Sequence, residues 1–501
     1  MDDKTKMRLS MYGLISAISF IYLILNDFPG ISIPIFFIIQ LVTLYFIVNN
    51  KEDIKNTKGL LFMIPIIIIS LNSFISANYM WAPTNFLAVV FLYSVMFLIL
   101  SDKLNLSKLR IIEIIGIVIN IFEPLINFIV PFRWIAERSK NNEKNMLVKR
   151  IFVGVLISVP CVLFLTMMLS SADMIFYNNF KVFNKWIEEF FYNLQIFKLV
   201  FGTFAGLYLF GHLYNVYAKT EDSVVNRINS STISTKQVNG DVIILNIVLA
   251  SILVIYTIFI AIQFRYLFSS GALPYELNYA EYARRGFFEL VFLSVLNIGL
   301  IMLITYLLKD KIYGEKIKWA LFTKGMMIYL CVVTGILLVS SYYRMSLYDS
   351  AYGFTRLRIL VYMFLAFEVL GLVATLVYIV KHNFNILVVY AAVCLAFYMT
   401  LNVVKIDEII AKRNVDMYLS GESDTVDIDY LMTLSQDAVP EIIRLLDKDV
   451  EIITRNNARR HLDILNKQYI TMESKWQSYN LSIEKNKELL LENKDKLEFI
   501  Y

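Results

Sequence analysis

Cysteine and histidine are both scarce in this 501-residue chain, and each scarcity excludes something. Cys161, Cys331 and Cys394 all lie inside apolar runs, so no disulfide framework is expected in the loops. His212, His382 and His461 fall in different segments without a His-Glu-x-x-His or similar spacing, which argues against a zinc hydrolase and leaves no metal site to assign. A Gly-x-x-x-x-Gly-Lys-Ser/Thr loop is missing, so ATP-driven transport by this chain has no support, and no Gly-x-Ser-x-Gly elbow is present. No cofactor is implied. Charge is thin as well, at 18% of residues.

What the chain has instead is apolar surface. Hydrophobic residues make up 58% of it and the mean hydropathy is +0.60, more than one soluble core can hide. Apolar runs recur up to residue 404 at about 17–22 residues, the length that crosses a hydrocarbon layer of about 30 Å. Helices are expected, because each backbone amide in lipid must be satisfied within its own segment and the alternation of a barrel is lacking. The spans drawn are Leu9–Leu25, Ile31–Val48, Leu60–Ile75, Phe86–Leu100, Ile151–Leu169, Leu199–Tyr217, Val242–Ile262, Phe287–Leu308, Trp319–Val339, Ile359–Val380 and Phe384–Val404. The expected fold is therefore all-α: a polytopic helical membrane bundle over residues 1–404, with about eleven spans. The required partner is a lipid bilayer.

Two segments resist a simple reading. In Ile111–Arg133, the residues Glu113, Gly116, Asn120, Glu123 and Asn127 fall at steps of three and four and share one stripe of a helix. Basic clusters flank this segment on both sides, so residues 111–133 are read as interfacial or re-entrant. A crossing here would make a twelfth span and invert everything after it. In Asp173–Phe197, Phe176, Phe180, Phe183, Ile187, Phe190, Leu194 and Phe197 alternate at steps of four and three, which describes an amphipathic helix on the membrane surface or one packed on neighbouring spans.

Charge sets the orientation. Lys4, Lys6 and Arg8, then Lys51, Lys55 and Lys58, then Lys103, Lys108 and Arg110 mark alternate loops, which places the N-terminus in the cytoplasm. Eleven spans then leave the C-terminus extracytoplasmic. From Lys405 to Tyr501 there are 14 Lys and Arg against 19 Asp and Glu, a net of −5 in a chain whose total is +5. This distribution belongs to a membrane protein and is no nucleic-acid footprint. Residues 405–501 read as a small soluble helical domain, with Ser435-Gln436-Asp437 as a helix start.

The polar residues concentrate in two stretches assigned to one side of the membrane. Glu281, Arg284, Arg285 and Glu289 fall in the first; Arg344, Asp349, Arg356 and Arg358 fall in the second. Every cation here is Arg, whose planar fork suits carboxylates and phosphates. The stretches are candidates for an interhelical ionic network or for a site that takes an anionic lipid or small anionic ligand. Glu368 lies mid-span, where it must be neutral, paired or wet; it is a candidate proton or ion site, or a hydrogen-bond partner of Asn297 or a tyrosine.

These stretches also carry a resemblance. Asn278 to Leu290, Leu347 to Arg358 and Tyr430 to Pro440 resemble a bacterial multi-pass membrane family known as the domain of unknown function DUF4173, related to DUF4153. The resemblance implies a plasma-membrane location and supplies no activity. A protein that binds or moves an anionic or lipidic ligand, or senses the envelope, is the leading expectation. An integral membrane enzyme on a lipid-linked substrate, with Glu281, Asp349 or Glu368 as acid or base, is the alternative.

Overall fold

The computed structural model describes residues 1–26, 30–49, 57–138, 196–218, 240–263, 287–314, 318–447, 449–472 and 475–497, with isolated positions between 154 and 185. The expected span Ile151–Leu169 and most of the amphipathic segment Asp173–Phe197 lie outside the described residues, as do Glu281, Arg284 and Arg285. Among the described residues all regular structure is helical.

The first group of helices comprises α1 (Asp3–Leu23), α2 (Ser32–Asn49), α3 (Met63–Ser70) and α4 (Ala82–Leu100). After it come α5 (Ile111–Asn120), α6 (Val130–Arg138) and α7 (Ile196–Tyr217). A second group follows: α8 (Val242–Gln263), α9 (Phe287–Lys309), α10 (Lys318–Tyr352) and α11 (Arg356–Lys381), then α12 (Ile386–Val403). Nine segments of the described residues are long and apolar enough to cross a membrane, and Ser32–Ile47 is a shorter apolar helix. The chain is a polytopic helical bundle.

Two cores hold it. Leu9, Tyr12, Leu44, Met63, Ile66, Met96 and Leu213 are buried in the first, where α1 lies along α7. Leu249, Ile301, Met327, Leu330 and Ile379 are buried in the second, where α10 is surrounded by α8, α9 and α11. Helix α12 bridges them by packing on α3 and α11. Outward-facing residues such as Leu14, Ile18, Phe46, Ile247, Val254, Phe292, Leu303 and Val373 are exposed and apolar, a belt that only lipid satisfies.

The two ends of the bundle differ. At one, Lys6 lies over the Trp134 ring, Asn385 donates to the Leu109 carbonyl at 2.8 Å, Lys311 reaches the Gly240 carbonyl at 2.8 Å and Lys324 reaches the Val380 carbonyl at 3.1 Å. This lysine end holds the N-terminus. The segment Glu113–Trp134 is apolar enough to cross. Yet Leu109 before it and Trp134 at its close both make these lysine-end contacts, and its Pro124 backbone packs against Gly211 of α7.

The opposite end carries a helical layer built from α13 (Ile406–Leu419), α14 (Ile428–Thr433), α15 (Ile452–Thr471) and α16 (Leu481–Glu492). Ile410, Val415, Leu431, Ile442, Leu462 and Leu490 form its core, which continues into Ala77 and Leu401 of the bundle. Short polar side chains start two of these helices: Asp427 accepts from the Tyr430 N–H at 2.9 Å at α14, and Asn480 from the Ser482 and Ile483 N–H groups at α16. Ser435-Gln436-Asp437 opens a 3-10 turn over Gln436–Ala438 that runs on into the helix Val439–Ile442 and a further 3-10 turn to Leu446, while the Asp437 side chain is used elsewhere.

Candidate functional site

The layer meets the bundle through buried acids. Asp407, in the first turn of α13, is fully buried and sits under the start of α11. Arg356 donates to it side-on along one edge of its guanidinium, Nε to Oδ1 at 2.7 Å and Nη2 to Oδ2 at 2.7 Å. Asn78 donates at 3.1 Å and the Ser435 N–H at 2.8 Å, so the carboxylate is surrounded by donors. Burial on its own would raise the Asp407 pKa, but the hydrogen bonds from Arg356 and Ser435 outweigh it and hold the carboxyl below its ordinary value. Arg356 is completed by its own N–H to the Tyr430 hydroxyl at 2.9 Å and by Nη2 to the Thr433 carbonyl at 3.2 Å. Burial pushes the Tyr430 hydroxyl up, which keeps it neutral as the acceptor. The crevice bounded by Asn78, Trp81, Arg356, Leu360 and Asp407 is too narrow for a water molecule.

A second acid, Asp437, is buried without an ion pair among the described residues. The Ala77 N–H donates to it at 2.8 Å and Ser482 Oγ at 2.5 Å, and the Ser76 hydroxyl completes the set. Next to it, Asn480 Nδ2 donates to the Ser73 and Ser76 carbonyls at 2.9 Å each. The turn between α1 and α2 docks too, with Gly30 N–H to the Gln477 carbonyl at 3.1 Å and Ile31 N–H to the Tyr479 carbonyl at 2.9 Å. A Cβ on Gly30 would stand 2.6 Å from the Ser478 backbone, so this approach requires glycine.

The turn before Arg356 is fastened as well. Gly353 adopts φ +71°, and Asn414 of α13 brackets Phe354 by accepting from its N–H at 2.7 Å and donating to its carbonyl at 2.9 Å. Arg358 turns the other way. It pairs with buried Asp349 at 3.4 Å, covers the Tyr348 ring at 4.1 Å and donates to the Gly353 carbonyl. Arg344 is buried near the same end of α10.

Glu368 lies in the middle of α11, buried, and its partner is Ser294 Oγ of α9 at 2.5 Å. Asn297, one expected partner, is instead taken by the Tyr256 hydroxyl at 2.8 Å and by Thr334 at 3.1 Å. Of the anticipated residues, then, Arg344, Asp349, Arg356 and Arg358 gather at the layer end and Glu368 lies below them. Asp407, Asn414 and Asp437 were not anticipated. The signal for Asp407 was an acid directly after the last span, where a solvated loop would be the default. No group of metal-ligating side chains occurs among the described residues.

Fold and interfaces define a multi-pass integral membrane protein with a helical layer on one end. The chain belongs to the family described as domain of unknown function (DUF4153), whose pattern covers residues 63–445. That is the relative named in the resemblance, and membership in DUF4173 itself is not supported. No curated protein and no solved structure matches the chain.

Proposed function

We propose that this protein is a membrane-embedded relay: the layer of α13–α16 senses conditions at the outer face, and the Arg356–Asp407 clamp passes changes in its position to the bundle through α11. The observation that supports this reading is the bidentate ion pair, its acid fully buried and its arginine partly so, joining the first turn of a membrane helix to the first turn of a layer helix. An anion-binding arginine would keep its fork free. Arg356 gives its Nε–Nη2 edge to Asp407 and Nη2 also to the Thr433 carbonyl, and the crevice beside it has no room for a headgroup. The same crowding disfavours an enzyme centred there.

The orientation belongs to the proposal. Lys6, Lys103, Lys309, Lys311, Lys318, Lys324 and Lys381 are placed at the end opposite the layer, which the positive-inside rule assigns to the cytoplasm. The layer is then extracytoplasmic, and Glu113–Trp134 enters and returns on the cytoplasmic side. A reporter fused after Tyr501 that works only outside the cytoplasm is the expected result.

Hydrogen exchange on the full chain in nanodiscs tests the relay. In Asp407→Asn, exchange rises in α13 and also along α11 past its first turns. A rise confined to α13, with α11 unchanged, contradicts the relay and leaves the clamp as a fastening only.

A further inference from the structure

Glu368 stands 12 residues after Arg356 and 13 before Lys381 on one uninterrupted helix. At 1.5 Å per residue that is about 18–20 Å from either end, near the bilayer centre. An ionised carboxylate offers about four lone-pair sites and needs donors for them. Glu368 has one neighbour on Oε1, the Ser294 hydroxyl, while Oε2 is buried with no hydrogen-bond partner among the described residues. No Lys, Arg or His of the described residues lies within ion-pair distance of it.

Ser294 explains how such an acid is tolerated. Its Oγ lies 2.5 Å from Glu368 Oε1 and 2.7 Å from the Val291 carbonyl. One hydroxyl proton cannot serve both. When it points at Val291, Glu368 must bring its own proton and donate to Ser294. When Glu368 is ionised, the hydroxyl rotates to serve it and the Val291 carbonyl falls back on its helix. A single rotor thus accommodates both protonation states without moving a helix.

Polar groups punctuate the apolar core around Glu368. Asn297 on α9, Thr334 on α10 and Tyr256 on α8 are joined by hydrogen bonds one turn below Ser294. Nearer the layer end, Ser340 of α10 donates to Gln263 of α8 at 2.6 Å, and above that lie Asp349 and Tyr362 in contact with each other. Toward the lysine end come Thr375 of α11, in contact with the Tyr390 hydroxyl, and Thr305 of α9, which donates to Met327 Sδ at 3.6 Å, and then Thr323 with Asn246 at 2.5 Å. The charged groups on the packed helices are Glu289 and Lys309 (α9), Lys318, Lys324, Arg344 and Asp349 (α10), and Arg356, Arg358 and Lys381 (α11), and the phenols and thiols between them include Tyr256, Cys331, Tyr362, Tyr390 and Cys394. Glu289, Arg344, Asp349, Arg356 and Arg358 belong to the layer end and Lys309, Lys318, Lys324 and Lys381 to the lysine end, so none of these charged groups lies at the depth of Glu368.

We propose that Glu368 is a reversible proton-binding site in the middle of the membrane, switched by the Ser294 hydroxyl and exchanging with the layer end through the polar groups of α8, α10 and α11. This inference does not depend on the clamp. Proton binding is read by infrared difference spectroscopy, whereas the relay is read by hydrogen exchange.

The test uses the full chain in nanodiscs, recorded in light and heavy water at low and high pH, beside Glu368→Gln and Ser294→Ala. Glutamine keeps the shape and an acceptor for Ser294, so that variant retains the fold; an unchanged melting profile checks this. The expected result is a protonated-carboxyl band that shifts in heavy water, disappears at high pH and is missing in Glu368→Gln. In Ser294→Ala it persists to higher pH, because the ionised acid has lost its donor. No Glu368-dependent band at any pH overturns the proposal, and so does a band that neither exchanges nor responds to pH, which marks a locked structural acid.

Discussion

Asp407 and Glu368 are both buried carboxylates reached from α11, and they are handled in opposite ways. Asp407 receives a bidentate Arg, a side-chain amide and a backbone N–H, so its charge is compensated on every side. Among the described residues, Glu368 receives one hydroxyl and no cation. The first arrangement makes ionisation permanent and fixes geometry, and the second leaves the charge state open. Conserving one fork for one carboxylate is what a joint needs, whereas a proton site needs a neighbour that serves both states.

Breaking the joint has the largest expected effect. Asp407→Ala leaves Arg356 facing Tyr430 and Thr433 without its counter-ion, and removal of one partner of a buried pair costs about 3–5 kcal/mol. Residues 406–419 should lose most of their exchange protection while α1–α4 keep theirs. Gly30→Ala comes next: its Cβ, 2.6 Å from the Ser478 backbone, pushes the α1–α2 turn off the layer, at a cost on the order of 1–3 kcal/mol for overpacking. Faster proteolysis near residue 478 is its readout. Arg356→Lys is milder. One ammonium replaces two parallel bonds, so a loss of about 1–2 kcal/mol is expected, seen as a lower melting temperature of the layer. An unchanged melting temperature would mean that the fork geometry carries no weight.

The smallest effect is a pH dependence, which separates two further acids and bases of the layer. Burial lowers the His461 pKa below its ordinary 6.5, so the folded layer prefers the neutral ring. Stability from this source is present above about pH 6.5 and is lost as pH falls below it, because the unfolded state takes up the proton first. His461→Gln should remove that slope. Asp407 is also depressed, so its contribution holds above its ordinary 3.8 and fades only at more acid pH. A layer that loosens between pH 7 and 5 in His461→Gln as strongly as in the wild type would contradict the assignment.

The spans of α4 and α7–α12 were legible because an apolar run of about 20 residues has few alternatives. The joint was not. Arg356 was visible as a cation near a membrane boundary, and a partner was sought in the signature around Glu281–Glu289, of which only Phe287–Glu289 is described. Its partner instead lies 51 residues downstream, just beyond the next span, where an Asp after a helix reads as solvated. Asp437 was legible only in part. Ser435-Gln436-Asp437 has the form of a helix start, and local pattern cannot reveal that the acid reaches back 360 residues to the Ala77 N–H. Gly353 carried a usable signal, since a glycine between a long helix and an arginine-led one marks a turn that needs positive φ.

A double-mutant cycle on Arg356 and Asp407, read by the exchange protection of residues 406–419 in nanodiscs, tests the central claim most directly. Arg356→Ala and Asp407→Ala should each strip that protection, and the double variant, which leaves no unpaired charge, should recover part of it. Losses that simply add in the double variant would show that the two residues act independently and that the layer is not held by their pairing.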